Sequence, residues 1–167
     1  LQSIRDALDK YGPQVVINAA SYTQVDKAET ERAAAYSINV MGAKNLSDVC
    51  NESGIRLLHY STDYVFDGSL GRPITEQDTP HPVNYYGQTK WEADQAILRY
   101  PQNLVVRIQW LYGNSRNRFS WLKEALVATP FSDQYGAPTW TIDVARATGE
   151  ILSKGLSGLY HFAYDDH

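Results

Sequence analysis

Leu1, Ile4 and Leu8 recur at helical spacing while Arg5, Asp6 and Asp9 fall between them, so residues 1–10 predict an amphipathic helix. Gly12-Pro13 ends it. Val15-Val16-Ile17 follows, β-branched and without polar alternation, which is the pattern of a strand buried on both faces. A helical pattern then covers about 26–53 and stops at Gly54. Ile55 to Tyr60 predicts a second buried strand. Residues 61–85 show no period and carry Gly68, Gly71, Pro73, Pro80 and Pro82. A structureless stretch of that length inside a compact domain is usually functional or disordered. Tyr86 to Arg99 is helical, Leu104 to Ile108 is a third strand, 118–128 and 141–153 are two more helices, and Leu159 to Phe162 is a last strand.

Strands alternating with helices of this length predict an α/β fold with a mostly parallel sheet and right-handed crossovers. In such folds ligands sit beyond the C-terminal ends of the strands. Three places are thereby singled out: Asn18-Ala19-Ala20, Ser61-Thr62-Asp63 and Gln109-Trp110.

Composition narrows the function classes. A chain of 167 residues that is 43% hydrophobic is long and apolar enough for one domain with a real core. It carries 15 basic against 19 acidic residues, a net charge of −4, which argues against disorder and against a nucleic-acid backbone as main partner. No apolar run reaches the length of a membrane span. Cys50 is the one cysteine, so no internal disulfide forms, and a reducing, cytoplasmic setting is expected. The 12 Tyr and 4 Trp suit sugar or nucleotide contacts, and equally suit half-buried packing.

Tyr86 and Lys90, in Tyr86-Gly87-Gln88-Thr89-Lys90, stand at i, i+4 and therefore on one helix face. A nearby ammonium lowers a phenol's pKa, and a phenol tuned in this way serves as general acid or base. The spacing alone also describes ordinary surface pairs. Ser61 and Thr62 at a strand end can hydrogen-bond a substrate carbonyl, or simply cap a turn.

The combination is more specific than its parts. Asn18-Ala19-Ala20, Ile38-Asn39-Val40-Met41-Gly42, Ser61 to Gly68 and Tyr85-Tyr86-Gly87-Gln88-Thr89-Lys90 resemble the extended, nucleotide-sugar branch of the short-chain dehydrogenase/reductase superfamily. Within it, Ala20 to Glu29, Ser61 to Gly68, Trp110-Leu111-Tyr112-Gly113 and Asp133 to Thr139 resemble the dTDP-4-dehydrorhamnose reductases. The resemblance implies a Rossmann-like doubly wound parallel sheet, incomplete at its N-terminus, with remnants of a small C-terminal substrate lobe. Residues 1–167 would form a partial NAD(P)-binding domain, with about 112–140 and 157–167 contributing to the lobe. NADPH or NADH would reduce the C4 ketone of a dTDP-sugar.

The same resemblance assigns roles residue by residue. Tyr86 would protonate the C4 oxygen, Lys90 would lower the Tyr86 pKa and hold the nicotinamide ribose, and Thr62 would hydrogen-bond the carbonyl. Asn39 would support Lys90 through a water. Ala19, Ala20, Ser21 and Ser61 would flank the cofactor with Asn39, Tyr86 and Lys90. Thr23, Val25, Asp63, Tyr64 and Trp110 would face the substrate. Two of these keep a second reading: Trp110 as a core residue at a strand end, and Asp63 as a turn former. Tyr22 and Tyr85 read as packing. A homodimer and, in a longer protein, Mg2+ are further candidates; no metal ligands can be placed in this sequence.

Tyr64 separates relatives. Nucleotide-sugar 4,6-dehydratases resemble Thr-Asp-Glu here, because eliminating water needs a second carboxylate. This chain has Thr62-Asp63-Tyr64. Epimerases share the Tyr/Lys pair and stay open. So does a non-catalytic regulatory protein resembling the β subunit of methionine adenosyltransferase.

Departures from the pattern are also legible. No glycine-rich phosphate turn follows a strand; Gly68 and Gly71 lie in the long loop. With Leu1 in place of Met, the expectation is a longer protein whose phosphate site lies upstream. Thr129 to Ser132 leaves almost no room for a short strand that relatives carry, and Asn117-Arg118-Phe119 stands where an Asn-Phe pair is common. His59 reads as a core residue, His81 as a loop residue without metal-ligand spacing, and Cys50 as a small buried hydrophobe.

Overall fold

A computed structural model describes residues 1–113 and 136–164. The chain opens with α1 (Gln2–Tyr11), closed by Gly12, whose φ of 52° is left-handed and whose N–H reaches the Leu8 carbonyl. Strand β1 (Val15–Asn18) runs parallel to β2 (Arg56–Thr62), with Val15 opposite Arg56 and Asn18 opposite His59. The second strand is two residues longer than its apolar run, so Ser61 and Thr62 lie in its last turn of pleat.

The helix expected over 26–53 is broken into pieces: α2 (Val25–Ala28), α3 (Arg32–Tyr36), a π-helical turn at Ser37–Gly42 and α4 (Ala43–Glu52). The break at Glu29–Glu31 has a polar cause. The Glu29 carboxylate accepts from the Tyr85 N–H at 2.7 Å and from Arg32 at 3.0 Å. Glu31 accepts from the Tyr22 hydroxyl at 2.6 Å. Thr30 bonds back to the Lys27 carbonyl at 3.1 Å. Side chains that could have lain along one helix are spent tying neighbouring loops to it.

A single-turn 3-10 helix (Asp63–Val65) follows β2, and α5 (Tyr85–Leu98) leads to β3 (Leu104–Ile108). Then come β4 (Leu111–Tyr112), β5 (Thr139–Trp140), α6 (Thr141–Ser153) and β6 (Gly158–Phe162). The parallel α/β sheet has the order β1-β2-β3-β6, and β4 pairs separately with β5, an association that the hydrophobic pattern does not predict. The helix expected at 118–128, the Thr129 to Ser132 stretch and Asn117-Arg118-Phe119 lie outside the described residues.

The chain divides into two compact units: Leu1–Arg107 with Ser157–His161, and Ile108–Leu156 with Phe162–His167. The stretch from Ser157 to His161 belongs to the first unit, where β6 joins the sheet. The first unit's core packs Leu8, Val49, Cys50, Leu57, Ala93, Ile97 and Val105 between α1, α4, α5 and the sheet. Cys50 is fully buried there, and burial pushes its thiol up to about 11, so it is an inert apolar filler as expected. Asn103, also fully buried, pins three elements at once. Its Oδ1 accepts from the Leu57 N–H at 3.1 Å, and its amide donates to Ser47 Oγ at 3.0 Å and the Ile97 carbonyl at 3.1 Å. Among the described residues no helix is long and apolar enough to cross a membrane.

Candidate active site

Helix α5 is set in place at its first turn. The Asn84 side chain accepts from the Gly87 N–H at 2.8 Å, and the Tyr85 N–H goes to Glu29, so two of the helix's orphan donors are satisfied. Gly87 meets the 3-10 turn edge-on: a Cβ there would sit 2.1 Å from the Tyr64 carbonyl oxygen. Only glycine allows this approach. It brings Tyr86 against the end of β2, with the Tyr64 and Tyr86 rings edge to face at 5.7 Å.

Burial is the largest influence on the Tyr86 phenol and pushes its pKa up. The nearby hydroxyls of Thr62 and Ser21 pull it down, and Asp63 and Tyr64 push it up. The net direction is upward. The lowered phenol expected from Lys90 is therefore not what the protein has, and the reason is where the amine goes. Lys90 Nζ donates to the Tyr60 carbonyl at 2.7 Å and lies 2.9 Å from His59 Nε2. Its side chain is only 2% exposed, and desolvation brings Lys90 down to about 8 against a smaller opposing effect of Asp94.

Thr62 does the work of a cap as well as standing by the phenol. Its Oγ1 accepts from the Tyr64 N–H at 3.2 Å and donates to Asp63 at 3.1 Å. Asp63 is thus a turn residue, half-buried beside Tyr64 and acting on Tyr86.

Asn39 sits in the π-helical turn, an irregularity that often marks functional positions. Its Oδ1 accepts from Ser21 Oγ at 3.0 Å and the Tyr22 N–H at 2.8 Å. Its Nδ2 donates to the Tyr22 carbonyl at 3.2 Å and Thr89 Oγ1 at 3.0 Å. Both lone pairs and both hydrogens of the side-chain amide are committed. It fixes Ser21 on one side and α5, one residue before Lys90, on the other.

Ser61 faces away from this group. Its Oγ and Asp94 Oδ1 are both buried without a partner inside hydrogen-bond length, yet the hydroxyl is near enough to pull the Asp94 pKa down. A small rotation pairs them. Asp94 itself forms a buried ion pair with Arg107 at 3.0 Å. Desolvation nevertheless leaves the Asp94 pKa raised overall. Arg107 continues over the Phe66 ring and towards His161, whose backbone N–H donates to Glu76 at 2.7 Å. Ser61 therefore stands next to the Asp94–Arg107 network.

Ala19, Ala20 and Thr23 are exposed beyond β1, and Val25 opens α2. Two methyl side chains at a strand's C-terminal end leave open backbone for a flat ring or ribose to approach. Trp110 belongs to the second unit, where it has a left-handed φ of 45° and its indole lies flat on Gly136: a Cβ there would be 2.7 Å from the ring. Among the described residues no group of three or more His, Cys, Asp or Glu is placed to hold a metal ion, Mg2+ included.

The structure thus brings Asn18, Ser21, Asn39, His59, Thr62, Asp63, Tyr64, Tyr86 and Lys90 into one connected group. Two residues of that group escaped the sequence reading as working parts: Asn18, read only within Asn18-Ala19-Ala20, and His59, read as core. Both are polar residues next to or inside apolar strands, and that incongruity is the only sequence signal they give.

The sheet and its crossover helices are Rossmann-like, the class of many nucleotide-linked reductases and epimerases. The chain belongs to the family of the RmlD substrate binding domain, whose model matches residues 1–167. It is 38% identical over 168 residues to a dTDP-4-keto-6-deoxy-D-glucose reductase of Streptomyces niveus, covering 95% of this chain and 58% of that protein. It superposes with a TM-score of 0.93 and 34% identity on a dTDP-4-dehydrorhamnose reductase of Clostridium acetobutylicum, covering 99% of this chain and 61% of that one. A dTDP-4-dehydrorhamnose reductase of Bacillus anthracis, in complex with NADP, matches at TM-score 0.88 and 32% identity, covering 99% of this chain and 61% of its own. The chain spans roughly three fifths of the length of these relatives.

Proposed function

We propose that the protein reduces the C4 ketone of dTDP-4-dehydro-6-deoxy-L-mannose to dTDP-L-rhamnose, with NADPH as cofactor, in the cytoplasm. The observation that carries this is the Tyr86 phenol, buried near the hydroxyls of Thr62 and Ser21, on the helix face that also bears Lys90. The family relationship, the reductase names of the relatives and the NADP held by the Bacillus anthracis protein support it.

The chain's residues divide the work as follows. Thr62 orients the sugar carbonyl and its oxygen accepts the Tyr86 proton as the ketone becomes an alcohol. When bound, NADPH would supply the hydride that C4 needs. A phenol held above its ordinary pKa keeps its proton at neutral pH, which is the state that a proton donor needs before turnover. Afterwards the phenolate regains a proton from solvent. Lys90 and Ser21, beside the exposed Ala19 and Ala20, fit the nicotinamide-ribose end of the cofactor. The sequence holds no glycine-rich turn for the pyrophosphate.

The test is NADPH oxidation by the full-length protein with the dTDP-4-keto sugar. Tyr86→Phe is expected to lower turnover about 10²–10⁴-fold, with the cofactor dissociation constant nearly unchanged. Wild-type turnover in that variant removes Tyr86 as proton donor. Running dTDP-4-keto-6-deoxy-D-glucose, which differs at C3 and C5, alongside decides which sugar the name of the Streptomyces niveus relative or that of the Clostridium one foretells.

A further inference from the structure

Beneath Lys90 runs a chain of hydrogen bonds that the reduction leaves unused, and its donors and acceptors can be assigned one after another. The Ala20 N–H can only donate, and it lies 3.1 Å from Asn18 Oδ1. That fixes the orientation of the Asn18 amide. Its Nδ2 is then the atom 3.0 Å from His59 Nδ1, and it donates, so Nδ1 accepts. A neutral imidazole with a bare Nδ1 carries its proton on Nε2. Nε2 is 2.9 Å from Lys90 Nζ. An N–H aimed at Nζ needs a lone pair there, and an ammonium has none. The arrangement is that of the free amine.

We propose that His59 is a positioning residue for Lys90: its tautomer, set by Asn18, holds Lys90 as the free amine, and Lys90 takes up a proton only together with a tautomer exchange in His59 and a turn of the Asn18 amide. The exchange balances. One solvent proton bonds to Nζ. The imidazole stays neutral while its own proton moves from Nε2 to Nδ1. Asn18 then offers Oδ1 to Nδ1–H and turns its NH2 towards Ala20, whose backbone bond is lost. The charge on Lys90 is thereby coupled to the Ala19–Ser21 segment beyond β1.

The surroundings agree. Tyr86 and Asp94 lie one turn before and after Lys90 on α5, His59 and the Tyr60 carbonyl face it from β2, Arg107 from β3 is neutralised by Asp94, and β1 contributes uncharged Asn18. Asp94 favours the ammonium, but burial outweighs it. Burial holds His59 well below its ordinary pKa, so the doubly protonated imidazole, which Nδ1 has no room for, does not form.

That Lys90 serves the reaction rests on the function proposed above, but the test does not. The histidine 15N and lysine 13Cε resonances of the full-length protein are followed with pH, and His59 and Lys90 are assigned with His59→Gln and Lys90→Met. At high pH the expected pattern is pyrrole-type Nε2 and pyridine-type Nδ1, with the two identities exchanging at the pH where Lys90 titrates. An Nδ1–H tautomer throughout, or a Lys90 titration that leaves His59 unmoved, overturns the proposal. Asn18→Asp supplies an acceptor to both Ala20 and Nδ1. It should lock His59 as Nδ1–H at every pH and raise the Lys90 midpoint by about one unit or more. Persistence of Nε2–H in that variant refutes the assignment, and the wild-type titration decides the matter if the variant does not fold. Absent turnover with the expected spectra sinks the reductase reading alone; turnover with the wrong tautomer sinks this inference alone.

Discussion

Gly87→Ala is the substitution whose effect follows most directly from the geometry. The new Cβ would lie 2.1 Å from the Tyr64 carbonyl oxygen, 3.0 Å from its carbon and 3.2 Å from Pro82 Cβ. An ordinary carbon–oxygen contact is about 3.4 Å, so helix and turn must part by about 1 Å. Two of the three obstructing atoms are backbone, and neither side can yield by rotating a side chain. Overpacking of this kind costs about 1–3 kcal/mol. Alanine's better helix propensity returns at most about 1 kcal/mol. The net expectation is a loss of about 1–2 kcal/mol, or a fall in Tm of roughly 2–8 °C for a domain of this size. The clash also moves Tyr86 away from Thr62, and a displacement of about 1 Å at a reacting group costs about 10²-fold in rate. Urea unfolding followed by circular dichroism measures the first effect and dTDP-sugar turnover the second. An unfolding midpoint equal to wild type would refute the close-approach argument, whatever the activity does.

The buried network around Arg107 gives a second expectation. Asp94→Ala leaves a guanidinium that is 5% exposed without its counter-ion and should cost about 3–5 kcal/mol in denaturant unfolding; Asp94→Leu combined with Arg107→Leu should recover most of it. Asn103→Leu strands the Leu57 N–H, Ser47 Oγ and the Ile97 carbonyl, and should lower the unfolding free energy by about 2–4 kcal/mol; a change under about 1 kcal/mol contradicts the clamp. Burial holds the pKa of His59, and less completely of His161, below the ordinary value of 6.5. The unfolded chain therefore binds more protons just below pH 6.5, so stability is full above that pH and falls as the pH drops towards the folded pKa values. The slope should be up to about 1.4 kcal/mol per pH unit for each histidine, and unfolding midpoints flat between pH 6.5 and 5 would disprove it.

Much of this protein is written in local pattern. Leu1, Ile4 and Leu8 specify α1, Gly12 its end, and the β-branched runs at Val15 and Leu104 specify strands, because each signal acts within a few residues of itself. The Tyr86 and Lys90 pair was visible for the same reason: four residues on a helix are neighbours whatever the rest of the chain does. The break at Glu29–Glu31 was not, since those carboxylates leave the helix for partners at Tyr22 and Tyr85. Nor was the direction of the Tyr86 pKa. The i, i+4 spacing puts an amine near a phenol, but β2 supplies the Tyr60 carbonyl and His59 that draw the amine elsewhere, and burial then dominates. The sequence by itself determined the alternation of strands and helices and the residue types at the strand ends. The tertiary structure alone decided that Asn18, His59 and Lys90 are linked, across separations of 41 and 31 residues, because hydrogen-bond partners in a parallel sheet are chosen by register and crossover and not by nearness along the chain.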